Sequence, residues 1–264
     1  RGSSRPKRND RPQRQSISEN TMTSASGGID PVTFEILRHR LITIAREGAI
    51  ALRNVSGSPT VALSNDCNVA LLNDSGEAVI VGPTIVTHAL ACGYACDYVA
   101  SKFEENPGIA SGDMFLTNDP YVSTPHQTCS VVVSPVFSEG ERIGWTGAGI
   151  HVADAGGSTP GQVALGAQSI WDEGPPLPPV KIVQKGKLRS DIEGDWLSRS
   201  RTPAQNAIDL RAKIAANTVM QRRIEELCNR YGAKTIRAVF DRIVSSVEMQ
   251  LRSILSDIPD GVWS

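Results

Sequence analysis

The stretch TNDPYVSTPHQTCSVVV, residues 117–133, sets one of the chain's four histidines three residues ahead of one of its five cysteines. His126 and Cys129 offer an imidazole and a thiol, donors that suit a borderline-soft ion such as Zn²⁺. The same two groups could serve as base and nucleophile. Twenty-two residues beyond Cys129, His151 closes another apolar run, and Asp154 follows three residues later. If the two runs are hairpin partners, His126, Cys129 and His151 meet at one end of the ladder. Two imidazoles and a thiolate would then surround one point, with a further position left for water or substrate. A Cys129 nucleophile would need a third, orienting group that the local spacing does not supply. Spacing alone leaves three readings open: a metal site, a nucleophile, or unrelated polar residues at a loop–strand junction.

Four carboxylates could assist as acid, base or outer support: Asp66, Asp119, Asp154 and Glu173. Each has a plainer explanation. Asp119 in NDPY has the form of a turn whose carboxylate binds nearby backbone N–H groups. Asp66 in SNDCNVAL precedes a strand, and Glu173 in WDEGPPLPPVK lies beside a rigid Pro-rich turn. His88, at the start of an expected helix, reads as a structural histidine, and His39 between two arginines as surface. Cys67, Cys92, Cys96 and Cys228 read as small packing residues, with Cys92 and Cys96 on one helix face.

These residues need a scaffold to bring them together. Asp30-Pro31 is a helix entrance, a side-chain cap followed by proline at the first helical position. Phe34, Leu37, Leu41, Ile44, Ala45 and Leu52 follow at three- and four-residue steps, giving one apolar stripe. TVALSNDCNVALLNDSGEAVIVGP reads as strands around a turn at Asn73–Gly76, and a helical stretch runs from about Pro83 to Glu105. GDMFLTND, CSVVVSPVF and RIGWTGAGIHVA are strand candidates, with SPVFSEGERIGW as a hairpin. The Gly- and Pro-rich residues 154–181 read as a long irregular loop of the kind that carries function. Thr202-Pro203-Ala204-Gln205 has the form of a capping box opening a helix that stops at Gly232. A last helix carries Ile236, Phe240, Ile243, Val247, Leu251 and Ile254. The expected fold class is α+β, a central antiparallel sheet with long flanking helices.

Composition narrows the function classes. Hydrophobic residues make up 40% and charged residues 21% of 264, enough for a substantial core. No apolar run reaches the roughly 20 residues needed to span a bilayer, so no membrane association is expected. Five cysteines at irregular spacing make no disulfide framework, and a reducing, cytoplasmic setting is expected. There is no GxxxxGK[ST] or strand-linked GxGxxG, hence no expected nucleotide site in this chain. The net charge of −1 conceals a basic segment: residues 1–21 hold six Arg or Lys against Asp10 and Glu19. Almost free of apolar residues, this segment cannot build a core. Residues 1–28 are read as a disordered basic tail of tag-like composition, with Met22 standing where a native initiator would. No nucleic-acid partner is expected from it.

GDMFLTNDPY, HVADAGGSTPG, DEGPPLPPVK and RTPAQNAIDLRAKIAAN, in this order and spacing, resemble the hydantoinase B/oxoprolinase family, over essentially all of residues 30–261. That family includes subunits of N-methylhydantoinase, 5-oxoprolinase, caprolactamase, and acetone and acetophenone carboxylases. The resemblance implies a metal- and substrate-binding subunit of an ATP-dependent cyclic amide hydrolase or ketone carboxylase. It implies a small-molecule substrate and an actin-like ATPase partner, hydantoinase A-like, that binds the ATP. In acetone carboxylase relatives a His-x-x-Asp after NDPY and a histidine in HHADVGG hold a metal; those positions fall on His126, Cys129 and His151. Here Cys129 replaces the usual aspartate and Val152 the second histidine. A thiolate in place of an oxygen ligand shifts preference from Mn²⁺ towards Zn²⁺, making zinc the first expectation and manganese the second. Family members continue with a second β-rich half. Residues 29–264 are therefore read as the N-terminal part of a hydantoinase B-like subunit. The other half is expected elsewhere, as a separate chain for example, and this chain alone is expected to be inactive. The departures also admit a non-catalytic assembly subunit, or a metal-free hydrolase with Cys129 as nucleophile.

Overall fold

A computed structural model describes residues 29–161, 164–258 and 261; the basic segment 1–28 lies outside these described residues. Helix α1 spans Pro31–Val55. Asp30 caps it by accepting from the backbone N–H groups of Val32 and Thr33 at 3.1 and 3.0 Å. The stripe Phe34, Leu37, Leu41, Ile44, Ala45 and Leu52 is buried, as the periodicity predicts. Residues expected to begin a strand instead form a short helix, α2, Pro59–Ser64. Pro59 pre-sets its first turn and Asn65 ends it in the left-handed region at φ 53°. Local start and stop signals here outweigh the strand-like run TVAL.

Strands β1 (Cys67–Leu72) and β2 (Ala78–Val81) form a hairpin, followed by helix α3 (Val86–Phe103) and strand β3 (Met114–Thr117). Then come β4 (Cys129–Ser138) and β5 (Glu141–His151), joined through the Glu139–Gly140 turn. Residues 152–179 are irregular where described, apart from one 3₁₀ turn at Ile170–Glu173. Strands β6 (Val180–Gln184) and β7 (Lys187–Leu188) follow. Helix α4 (Ser190–Ser198), which the periodicity did not reveal, buries only Trp196. The long helices α5 (Pro203–Tyr231) and α6 (Ala233–Ser256) complete the described elements. Thr202 makes no side-chain cap bond to α5, contrary to the capping-box expectation; its hydroxyl faces that of Ser200 at 3.2 Å instead.

The seven strands make one sheet in the order β2-β1-β5-β4-β3-β6-β7, every pair antiparallel. The fold is α+β, as expected. Helices cover both faces: the apolar stripe of α3 packs with Leu72, Val131, Val133 and Trp145, and α1, α5 and α6 pack with Val69, Leu71, Ile143 and Ile150. With both faces covered, β4 and β5 are buried for most of their length, which explains why the CSVVVSPVF run shows little polar alternation. Two glycines of β5 let α3 approach closely. A Cβ on Gly147 would stand 2.5 Å from the Cys92 side chain, and one on Gly149 would stand 2.9 Å from His88 Cβ. That close approach carries His88 to the end of the sheet where His151 lies.

Candidate metal centre

Register brings the sequence candidates together. In the β4–β5 ladder Cys129 sits directly opposite His151, and directly opposed Cβ atoms in an antiparallel pair lie only about 5 Å apart. Both side chains project on the α3 face, sharing parity with Val131 and Trp145. The loop before β4 folds back so that the Cys129 N–H donates to the His126 carbonyl at 3.1 Å. His126 thereby comes alongside, with its ring 4.9 Å from that of His151. Cys129 Sγ lies 3.6 Å from His126 Nε2 and 3.7 Å from His151 Nδ1. One ligand atom from each of the three residues lies within 4.8 Å of the others.

β1 delivers the next group. Asp66, just before this strand, accepts the His151 N–H on its carbonyl at 3.1 Å. Its carboxylate reaches to 3.6 Å from His151 Nδ1. The other carboxylate oxygen meets His88 Nε2 at 2.9 Å. His88, buried on α3, thus fixes the rotamer of Asp66, while its own Nδ1 has no hydrogen-bond partner. From its sequence position alone His88 reads as structural. The signal that would have raised it is a tertiary one, the glycine-permitted approach of α3 to β5.

Electrostatics set the protonation states. The hydrogen bond from His88 holds Asp66 below the ordinary carboxylate range. Burial pushes His151 down to about 4, against the opposing pull of Asp66. Burial also lowers His126, opposed first by the nearby Glu173 charge. At neutral pH both imidazoles are therefore neutral, the form that donates a lone pair to a cation. Burial pushes the Cys129 thiol up to about 12, so it gives up its proton only against a nearby positive charge. His126 Nδ1 is held by the Thr128 hydroxyl at 2.5 Å, which leaves Nε2 facing Cys129. His151 Nε2 is buried without a partner.

The donor set fits a metal ion. A tetrahedral zinc with Zn–S near 2.3 Å and Zn–N near 2.0–2.1 Å holds sulfur and nitrogen about 3.6 Å apart. The two observed sulfur–nitrogen separations, 3.6 and 3.7 Å, match that edge. Asp66 offers an oxygen donor beside His151, steadied by a histidine behind it in the manner of outer-sphere support at metal sites.

The remaining sequence candidates occupy other positions. Asp119 binds its own turn, accepting from Tyr121 N–H at 2.9 Å. Asp154 is buried and pairs with Arg201 at 2.9 Å while Asn206 of α5 donates to its carbonyl at 3.0 Å. That arrangement ties the glycine-rich segment after β5 to the start of α5. Glu173 ends the 3₁₀ turn, near enough for its charge to act on His126. His39 is exposed beside Glu35, and all five cysteines are free and buried.

Behind β4, α5 presents a buried polar row, Asn206, Asp209, Lys213 and Asn217. The Lys213 ammonium donates to Ser130 Oγ, next to Cys129 on the opposite sheet face. Asp209 accepts from Ser56 Oγ at 2.6 Å, and Asn217 donates to the Val132 carbonyl at 3.0 Å. The Lys213 and Asn217 bonds pin the strand end that carries Cys129 to a 29-residue helix, and the Asp209 bond ties that helix to the end of α1.

Comparison with known proteins adds family evidence. The profile of the Hydantoinase B/oxoprolinase family matches residues 30–264. Caprolactamase subunit beta from Pseudomonas jessenii is 33% identical over 236 residues, covering 89% of this chain and 40% of that protein. The acetophenone carboxylase delta subunit of Aromatoleum aromaticum is 30% identical over 237 residues, 89% of this chain and 34% of that subunit. The crystal structure of the ATP-dependent caprolactamase from Pseudomonas jessenii superimposes with a TM-score of 0.81 at 33% identity, over 88% of this chain and 40% of that one. The chain thus spans two fifths or less of the length of these relatives.

Proposed function

The chain belongs to the hydantoinase B/oxoprolinase family, and from that premise we propose that it is the metal- and substrate-binding part of an ATP-dependent enzyme. The reaction is hydrolysis of a cyclic amide or carboxylation of a ketone, carried out with an actin-like, hydantoinase A-like ATPase subunit that holds the nucleotide. The relatives named for caprolactamase and acetophenone carboxylase support the reaction class. The observation that carries the site is the Cys129–His151 cross-strand pair with His126 alongside, at sulfur–nitrogen separations of 3.6 and 3.7 Å.

His126, Cys129, His151 and Asp66 would hold the ion, with zinc favoured over manganese because one donor is a thiol. When bound, zinc supplies Lewis acidity towards a substrate carbonyl and can lower the pKa of a water. The protein's own contribution is placement. The β4–β5 register fixes two donors, and His88 orients Asp66. Glu173, whose charge acts on His126, would exchange protons with substrate, whereas Asp119 holds its own turn and Asp154 ties the segment after β5 to α5. A metal-free Cys129 nucleophile is the weaker reading, because burial keeps that thiol protonated at neutral pH. No described helix is long and apolar enough to cross a membrane. Five free, buried cysteines suit a reducing compartment, and we place the enzyme in the cytoplasm.

Reconstitution with the ATPase and remaining subunits tests the reading. His126→Ala and His151→Ala are expected to abolish ATP-dependent turnover while leaving the circular dichroism spectrum and complex assembly intact. Undiminished turnover in both variants would make the chain an assembly subunit instead.

A further inference from the structure

The last helix carries an apolar stripe that outruns the protein's own core. Ile236, Phe240, Ile243, Val247, Leu251 and Ile254 of α6 follow one another at three- or four-residue steps, the spacing of a helix–helix seam, and Ile258 keeps the step in the turn just beyond the helix end at Ser256. The first three are buried against α1 and the sheet. From the fourth onward the same stripe is open: Val247 is 57% exposed, Leu251 54%, Ile254 64% and Ile258 52%. Off this stripe lie Glu248 and Arg252, paired at 2.8 Å, while Met249, 66% exposed, stands across the helix from it. Close by, α1 exposes Val32 and Ile36. Arg242 links the two helices, donating to the Ile29 carbonyl at 3.0 Å and stacking 4.1 Å above the Phe34 ring.

We propose that the second half of α6 is a docking face for the portion of the hydantoinase B fold that lies outside this chain's match to its relatives. That portion is the larger part of each relative, since this chain covers 40% and 34% of the two compared. A second copy of this chain fits less well. Residues 247–256 span only about 15 Å of helix, and a self-paired patch of that length falls short of the roughly 1,600 Å² of a stable interface. A large companion polypeptide, on the same chain or a separate one, brings the additional contact area. It is expected to present an aliphatic helix or sheet face to Val247, Leu251 and Ile254. The inference rests on family membership and the stripe, and is independent of the metal reading.

A photo-crosslink tests it. Leu251→Cys, carrying a benzophenone maleimide, is assembled into the complex with its native subunits; the five native cysteines are buried and stay unlabelled. Ser253→Cys, on α6 but off the apolar stripe, is the control. The expected result is a crosslink from position 251, much weaker from 253. The captured peptide should align with the part of caprolactamase subunit beta outside the match. No crosslink from position 251, equal yields from both positions, or adducts mapping to residues 29–258 of a second copy or to the ATPase subunit would each overturn the proposal.

Discussion

Replacing Lys213 with methionine should change how stability depends on pH, and the size of the change follows from the lysine's surroundings. Its ammonium is wholly buried between α5 and the sheet, donating to Ser130 Oγ with the Trp196 ring 5.9 Å away. Burial lowers its pKa from 10.5 to about 8, against the opposing attraction of Asp209. Because the folded pKa is depressed, the folded protein loses this proton first on raising the pH. Between about pH 8 and 10.5 the unfolded chain binds more protons, so stability rises with pH in that window; below it the cost of the buried charge is fully present. At about 1.4 kcal/mol per pKa unit the whole effect is about 3 kcal/mol, of which about 2 kcal/mol falls between pH 7.5 and 9.5. Urea unfolding of wild type and Lys213→Met at those two pH values reads it, and the comparison cancels groups that titrate alike in both proteins. Wild type should gain about 2 kcal/mol relative to the variant. A difference that stays constant with pH would mean that the amine is hydrated or ordinarily charged, and the account of the buried polar row would be wrong.

Two further outcomes follow from the packing around the centre. Gly147→Ala places a methyl group 2.5 Å from the Cys92 side chain, so α3 must shift; overpacking of this kind should cost about 1–3 kcal/mol in urea unfolding. His88→Gln removes the partner that holds Asp66 at 2.9 Å and should weaken metal affinity roughly 10- to 100-fold. Competition with a chromogenic chelator measures that loss, and unchanged affinity would remove Asp66 from the proposed ligand set.

Much of the scaffold is legible in the sequence because its signals are local. The Asp30 cap, the α1 stripe and the Glu139–Gly140 hairpin turn are each written within a few residues of where they act. The meeting of Cys129 with His151 is legible too, since a tight hairpin between two apolar runs puts their far ends side by side. The α2 segment reads as a strand because TVAL has β-branched residues, whereas Pro59 and the left-handed Asn65 determine its conformation. His88 reads as structural in the sequence for a different reason. Its partner Asp66 lies 22 residues earlier, and only the packing of α3 on Gly147 and Gly149 brings the two together. Lys213 carries no local sign of its burial, because a lysine in RAKIAAN reads as surface until the helix is seen against β4. Asp119 and Asp154 share a composition with catalytic carboxylates, but backbone N–H groups in one case and Arg201 in the other account for their positions.

Metal content, measured by inductively coupled plasma mass spectrometry on protein purified without added metal, tests the proposed centre most directly. Wild type should carry about one zinc ion per chain, and Cys129→Ser and His151→Ala should each lose most of it while staying folded. Wild-type protein with no bound metal, or variants that retain the wild-type amount, would contradict a centre built from His126, Cys129 and His151.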